Sequence, residues 1–210
     1  MTTAVILAAG HADRMGANKL VLPIGTSSVV GRVVDVALDT CDKAVVVIGL
    51  HDTVTRTAVE RAVREHGAGD RVQIVQGVPY DPGMFISVQA GLRSAGDSDV
   101  VLIFPGDIPL GCRETAIAVR DAVLQGPGGI AVPVHDDRHG HPIGISSRYL
   151  TELEQMSPHA TLRQFLQAHW GDVALVPVDD VGMLMDMDTP ADYDAVLDRA
   201  AATLPYNQEV

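Results

Sequence analysis

Short runs of β-branched and aliphatic residues alternate along this 210-residue chain with longer stretches of helical periodicity, and that alternation limits the fold more than any other feature. Strand-length runs occupy 4–8, 44–49, 72–76, 100–104, 130–134, 143–146, 173–178 and 184–186. Helical stretches fill 28–38, 53–66, 85–94, 114–124, 147–156, 161–169 and 190–203. In the first of these, Val29, Val30, Val33, Val34 and Ala37 follow the i, i+3, i+4 spacing of a buried face. Thr189 is placed to cap the last helix, with Pro190 in its first turn. Alternation of this kind predicts an α/β fold with a mostly parallel sheet, which binds ligands outside the carboxyl ends of its strands. The two apolar runs between 130 and 146, joined by the polar turn at 136–140, predict a small hairpin insertion. No repeat or Pro/Gly/Ser linker divides the chain, so one domain over 1–203 with a short tail at 204–210 is expected.

Composition excludes several functions. Charged residues are 20% and hydrophobic residues 47%, which rules out a disordered chain. The longest apolar runs are of strand length, so no membrane span is expected. A net charge of −12 argues against binding nucleic acid or anionic membranes. The imbalance is uneven, with 7 basic and 8 acidic side chains in residues 1–70 but 8 and 19 in residues 71–210. If the protein handles phosphates, the less acidic N-terminal part is where their site is expected. Cys41 and Cys112 form no C-x-x-C, which suggests neither disulfides nor structural zinc. The start of the chain reads as a strand and not as a secretion signal, so a cytoplasmic protein is expected.

The segment after the first run, Leu7-Ala8-Ala9-Gly10-His11-Ala12-Asp13-Arg14-Met15-Gly16-Ala17-Asn18-Lys19, carries most of the chemistry. Its small residues allow close backbone approach, Gly10 and Gly16 let amides converge on an anion, and Arg14 and Lys19 add two cations. It is no P-loop, because five residues separate the glycines and Lys19 is not adjacent to the second. Nor does it contain G-x-G-x-x-G. Phosphate binding and a solvated turn with two surface cations remain open on composition alone.

Leu7-Ala8-Ala9-Gly10 with Arg14-Met15-Gly16 and Lys19 resembles the L-A-A-G-x-S-x-R-M-G-x-x-K signature of MobA-like nucleotidyltransferases, with Ala12 in place of the usual Ser or Gly. Within that family the chain is most similar to the molybdenum cofactor cytidylyltransferases. Further matches follow in order: Tyr80-Asp81-Pro82-Gly83-Met84 with Ser87 and Gly91-Leu92, Pro105-Gly106-Asp107-Ile108-Pro109, Gly140-His141-Pro142, Ala160-Thr161-Leu162-Arg163, and Asp186-Met187-Asp188-Thr189-Pro190-Ala191-Asp192. The resemblance implies a Rossmann-like three-layer sandwich of glycosyltransferase-A type. It also implies a nucleoside triphosphate substrate, Mg²⁺, and attack of an acceptor phosphate on the α-phosphorus with loss of pyrophosphate.

Each matched residue then acquires an expected role. Leu7, Ala8, Ala9, Gly10, Gly83 and Ser87 would hold the nucleotide together with Arg14 and Lys19. Arg14 and Lys19 would neutralise the leaving pyrophosphate, an electrostatic task needing no proton transfer. Asp107, at the end of a buried strand, and Asp188, before Thr-Pro, would hold Mg²⁺, which takes one or two carboxylates plus phosphate oxygens. Turn-forming and helix-capping roles are the alternatives for these two aspartates. His141 and Asp186 would face the acceptor, although Asp186 could instead be the second metal ligand. The guanylyl-transferring relatives usually carry L-A-G-G; the methyl group of Ala9 would crowd a purine, an argument for CTP worth about 1–3 kcal/mol.

The acceptor implied by the resemblance is molybdopterin, with a molybdoenzyme as a further partner. A sugar or alditol phosphate acceptor, GTP as donor, and a non-catalytic cofactor carrier are the competing readings. His135, Asp136, Asp137, His139 and His141 have metal-like composition but no zinc-like spacing, and a polar hairpin tip is expected there. Met183, Met185 and Met187 read as packing, and neither cysteine reads as a nucleophile.

Overall fold

The computed structural model describes residues 1–10, 18–78 and 84–203. A central sheet carries helices on both faces. In chain order its described elements are β1 (Thr2–Ala8), the short hairpin β2 (Pro23–Ile24) and β3 (Ser27–Ser28), α1 (Val29–Thr40), β4 (Lys43–Gly49), α2 (Thr53–His66), β5 (Val72–Val78) and α3 (Met84–Ala95). There follow β6 (Val100–Pro105), α4 (Arg113–Gln125), β7 (Ile130–His135), β8 (Arg138–His139), β9 (Ile143–Ser146), α5 (Leu150–Gln155), α6 (Leu162–Ala168), β10 (Val173–Pro177) and α7 (Pro190–Thr203). The sheet order is β10-β7-β9-β6-β1-β4-β5, with β8 paired to β7. β9 runs antiparallel to β6 and β7, β8 is antiparallel to β7, and the remaining pairs of this central sheet are parallel. No described helix is long and apolar enough to cross a membrane.

The strands are apolar on both sides because both sides are covered. Successive residues of a strand point to opposite faces. Ala4, Ile6 and Ala8 of β1, with Ala44, Val46 and Ile48 of β4, pack under α1, α2, α4 and α7. Val5, Val45, Val47, Val101 and Ile103 meet α3, α5 and α6 through Phe85, Val88, Leu92, Leu153 and Phe165. Val29, Val30, Val33, Val34 and Ala37 are all buried on α1, as their spacing predicts. The result is the three-layer α/β sandwich expected of a Rossmann-like nucleotidyltransferase.

Two expectations need adjustment. The residues at 184–186 form no strand: Val181–Leu184 is a 3-10 turn, and the chain continues without regular structure to α7. Met183 and Met187 are fully buried and Met185 packs against the core cluster that contains Met187, so their alternation reflects packing without a sheet partner. The segment between β7 and β9 is a hairpin, but its turn joins β7 to the two-residue β8, and β9 then lies inside the main sheet. Asp136 and Asp137 both adopt positive φ (48° and 61°), the conformation a two-residue hairpin turn needs and aspartate tolerates.

Candidate active site

The chain order around β1 creates the site. From β1 the chain moves outward through β4 and β5, then returns to place β6 on the other side of β1. Such a reversal opens a crevice at the carboxyl ends of the two strands. There Gly106 passes directly over β1, its N–H donating to the Leu7 carbonyl at 2.9 Å. A Cβ at residue 106 would sit 2.8 Å from that oxygen, so only glycine allows this crossing. Asp107 is thereby delivered to the mouth of the crevice, where Leu7, Ala8, Ala9 and Gly10 lead out of β1.

Lys19 begins a 3-10 turn, Lys19–Val21. Asn18 caps it, accepting from the Leu20 N–H at 3.1 Å and donating to Thr55 Oγ1 at 2.9 Å. Asp52 caps α2 through the Thr55 N–H at 2.9 Å, so the lysine turn is tied to the α2 N-terminus. From this base Lys19 reaches into the crevice with only 8% of its side chain exposed. Its ammonium donates to Asp107 Oδ2 at 2.6 Å and to Asp188 Oδ1 at 2.9 Å. Burial pulls the lysine pKa down, but the two carboxylates outweigh it and hold the pKa above its ordinary value. A cation and two carboxylates, from three segments distant in sequence, thus share one partly dry spot.

Asp188 is not the cap of α7. That task falls to Thr189 and Asp192: the Asp192 Oδ2 accepts from the Thr189 N–H at 2.7 Å and the Thr189 hydroxyl at 2.8 Å, and these bonds hold its pKa below the usual range. Asp188 remains committed to Lys19. Asp186 is exposed, with no hydrogen bond or ion pair among the described residues. Ser87 lies buried in the first turn of α3. Arg14 and Gly83 lie outside the described residues.

His141 stands close enough to Asp107 to feel its charge. Its Nδ1 is buried, with no hydrogen-bond partner among the described residues. Burial pushes the imidazole pKa down to about 4 against the opposing pull of Asp107. Between pH 6.5 and about 4 the unfolded chain therefore binds a proton at His141 that the folded chain resists. Stability should fall across that window, by about 3 kcal/mol at pH 4, with no contribution above pH 6.5. Urea titrations of the parent and a His141→Gln variant at pH 7 and pH 4.5 check this, since equal acid losses in the two proteins would contradict it.

His141 and Cys112 line one cavity of about 10 Å³, enough for a single water. Burial raises the Cys112 thiol pKa, consistent with packing and not with nucleophilic attack. No three His, Cys, Asp or Glu residues cluster as metal ligands among the described residues. The hairpin histidines instead make local contacts, with His135 Nδ1 3.0 Å from the Val178 carbonyl and the His139 ring 5.5 Å from Trp170. Asn18 and Asp52, which orient the lysine turn, were not singled out by the sequence pattern; the visible signal was an Asn immediately before Lys19.

Comparison with known proteins agrees with this fold. Residues 4–174 match the MobA-like NTP transferase domain family. The molybdenum cofactor cytidylyltransferase of Escherichia coli (strain K12) is 26% identical over 189 residues, covering 90% of this chain and 92% of that protein. The crystal structure of Rv0371c from Mycobacterium tuberculosis H37Rv is 27% identical with a TM-score of 0.74, covering 93% of this chain and 97% of that one. A second Rv0371c structure, a complex with manganese, covers 94% and 98% at 25% identity and a TM-score of 0.70. With the matched residues holding most of the sheet together with Lys19 and Asp107, the chain belongs to the MobA-like NTP transferase domain family and is a nucleotidyltransferase.

Proposed function

We propose that this nucleotidyltransferase transfers CMP from CTP to a phosphorylated acceptor, most specifically molybdopterin, in a Mg²⁺-dependent displacement that releases pyrophosphate. The observation that carries the reading is the meeting of Lys19, Asp107 and Asp188 at one point of the crevice. Two oxygen donors from separate segments already share one cationic partner there, and that donor set fits a hard divalent cation bound jointly with phosphates. The manganese complex of Rv0371c supports the same inference from a relative. Asp107 and Asp188 would hold Mg²⁺, and the chemistry supplied there would be neutralisation of the charge that builds on the leaving group.

The chain's own groups perform the remaining work. The main chain at Leu7–Gly10, at the end of β1, receives the nucleotide, and Ala9 favours the smaller pyrimidine. Lys19 turns from its carboxylates to the β- and γ-phosphates and balances charge on pyrophosphate. Arg14 adds a second cation to that task, and Gly83 and Ser87 complete the nucleotide contacts. An acceptor phosphate oxygen attacks the α-phosphorus as the bond to the bridging oxygen breaks. His141, neutral at physiological pH by its lowered pKa, would offer an uncharged contact to the acceptor, and exposed Asp186 would supply a second one. The molybdopterin acceptor rests on the likeness to the Escherichia coli cytidylyltransferase. A molybdoenzyme then receives the finished cofactor.

Thermal unfolding with CTP, GTP, ATP and UTP, each with and without Mg²⁺, tests the donor. A ligand at about 100 times its Kd stabilises the fold by about 2.7 kcal/mol. The largest Mg²⁺-dependent rise in Tm is expected for CTP. A larger rise with GTP would overturn the cytidylyl assignment, and no rise with any triphosphate would favour the carrier reading.

A further inference from the structure

We propose that Asp180 is a positioning residue for the reaction, a clamp that fixes the distance between Asp107 and Asp188. The proposal rests on the reading that those two carboxylates hold the divalent cation. Asp180 is 8% exposed and lies eight residues before Asp188. Its Oδ2 accepts from the Cys112 N–H at 2.9 Å and from the Thr115 hydroxyl at 2.7 Å. Both donors sit at the start of α4, the helix entered by the loop that carries Asp107. Cys112 occupies the N-cap position there and makes no side-chain cap, so Asp180 supplies a carboxylate to that end from outside the helix.

The two segments also touch through their backbones. A Cβ on Gly182 would stand 2.1 Å from the Leu110 carbonyl oxygen, so residue 182 must be glycine for the 180–188 segment to press on the Asp107 loop. Beyond that contact Met183 and Met187 are fully buried, which leaves the segment little freedom before Asp188. The Asp107 loop and the Asp188 segment are therefore bound at one end by Asp180 and meet at the other across Lys19. Among the described residues Asp180 makes no hydrogen bond or ion pair with Lys19 or Asp107. Its effect passes through the positions of the two carboxylates, as outer-shell groups act on metal sites.

Mn²⁺ binding measured by electron paramagnetic resonance, with CTP present and acceptor omitted, tests the clamp without turnover. Asp180→Ala should weaken Mn²⁺ binding by about tenfold, the lower end of what outer-shell losses cost. Asp180→Asn keeps an oxygen able to accept both bonds and should restore most of the affinity. Thr115→Val, which removes one bond, should shift affinity the same way by less, and it carries the test if Asp180→Ala does not fold. A lower Tm with parental Mn²⁺ affinity in Asp180→Ala or Thr115→Val would overturn the clamp. Asp107→Asn separates the two claims. Parental affinity in that variant would remove the metal site itself, whereas lost affinity there beside parental affinity in Asp180→Ala would remove only the clamp.

Discussion

An Asp107→Ala variant is expected to keep its fold and lose turnover by about 10²–10⁴-fold, the rate equivalent of the several kcal/mol that a metal-held transition state gains. The fold survives because Asp107 stands on a loop beyond β6, with 24% of its side chain exposed, and its truncation opens no core cavity. Removing one partner from a buried ion pair is costly when the other is stranded. Here Lys19 retains Asp188 at 2.9 Å, so the ammonium is not left alone. The measurement is a rate of pyrophosphate release with CTP and acceptor, alongside Tm. A rate near the parent's would sink the metal assignment. Pyrophosphate is also the product that separates a transferase from a carrier, because a carrier releases none in either protein.

The parts of this molecule that were legible in its sequence are those encoded by short-range pattern. Buried strands announce themselves by uninterrupted β-branched runs such as 44–49 and 100–104, because both sheet faces are covered. Lys19, Asp107 and Asp188 were legible as motif positions, each at the carboxyl-end edge of a strand or the start of a helix. What was not legible depends on contacts between distant segments. Nothing in the order of residues tells that Asp180 bonds α4, or that Asn18 holds Thr55. The false strand at 184–186 has a specific cause: alternating methionines imitate the period of a strand, while the close approach of Gly182 to Leu110 bends the chain out of any sheet. The two-residue strands β2, β3 and β8 are too short to carry a period at all.

Replacing Lys19 by Met should move two quantities in opposite directions. Turnover should fall by about 10²–10³-fold, the usual cost of removing one charge-stabilising donor from a transition state. Binding of Mn²⁺ in the absence of nucleotide should become tighter than in the parent. The second effect follows from geometry, because the Lys19 ammonium already satisfies Asp107 at 2.6 Å and Asp188 at 2.9 Å. A divalent ion entering the nucleotide-free crevice must contend with that charge for the same oxygens. Nucleotide phosphates would give Lys19 other partners and release the carboxylates, which ties metal entry to nucleotide entry. The raised lysine pKa keeps the ammonium charged: its contribution holds below pH 10.5 and is lost only as pH rises through the folded-state value, so the competition spans the physiological range. Met keeps an unbranched side chain one atom shorter than lysine's, but it removes the cation that Asp107 and Asp188 share, so Tm of the metal-free protein should fall modestly, the two carboxylates being 24% and 52% exposed. Unaltered turnover would remove Lys19 from the chemistry, and unaltered Mn²⁺ binding would end the competition argument. A general loss of folding would weaken both quantities together, so a gain in one beside a loss in the other can come only from the charge at residue 19.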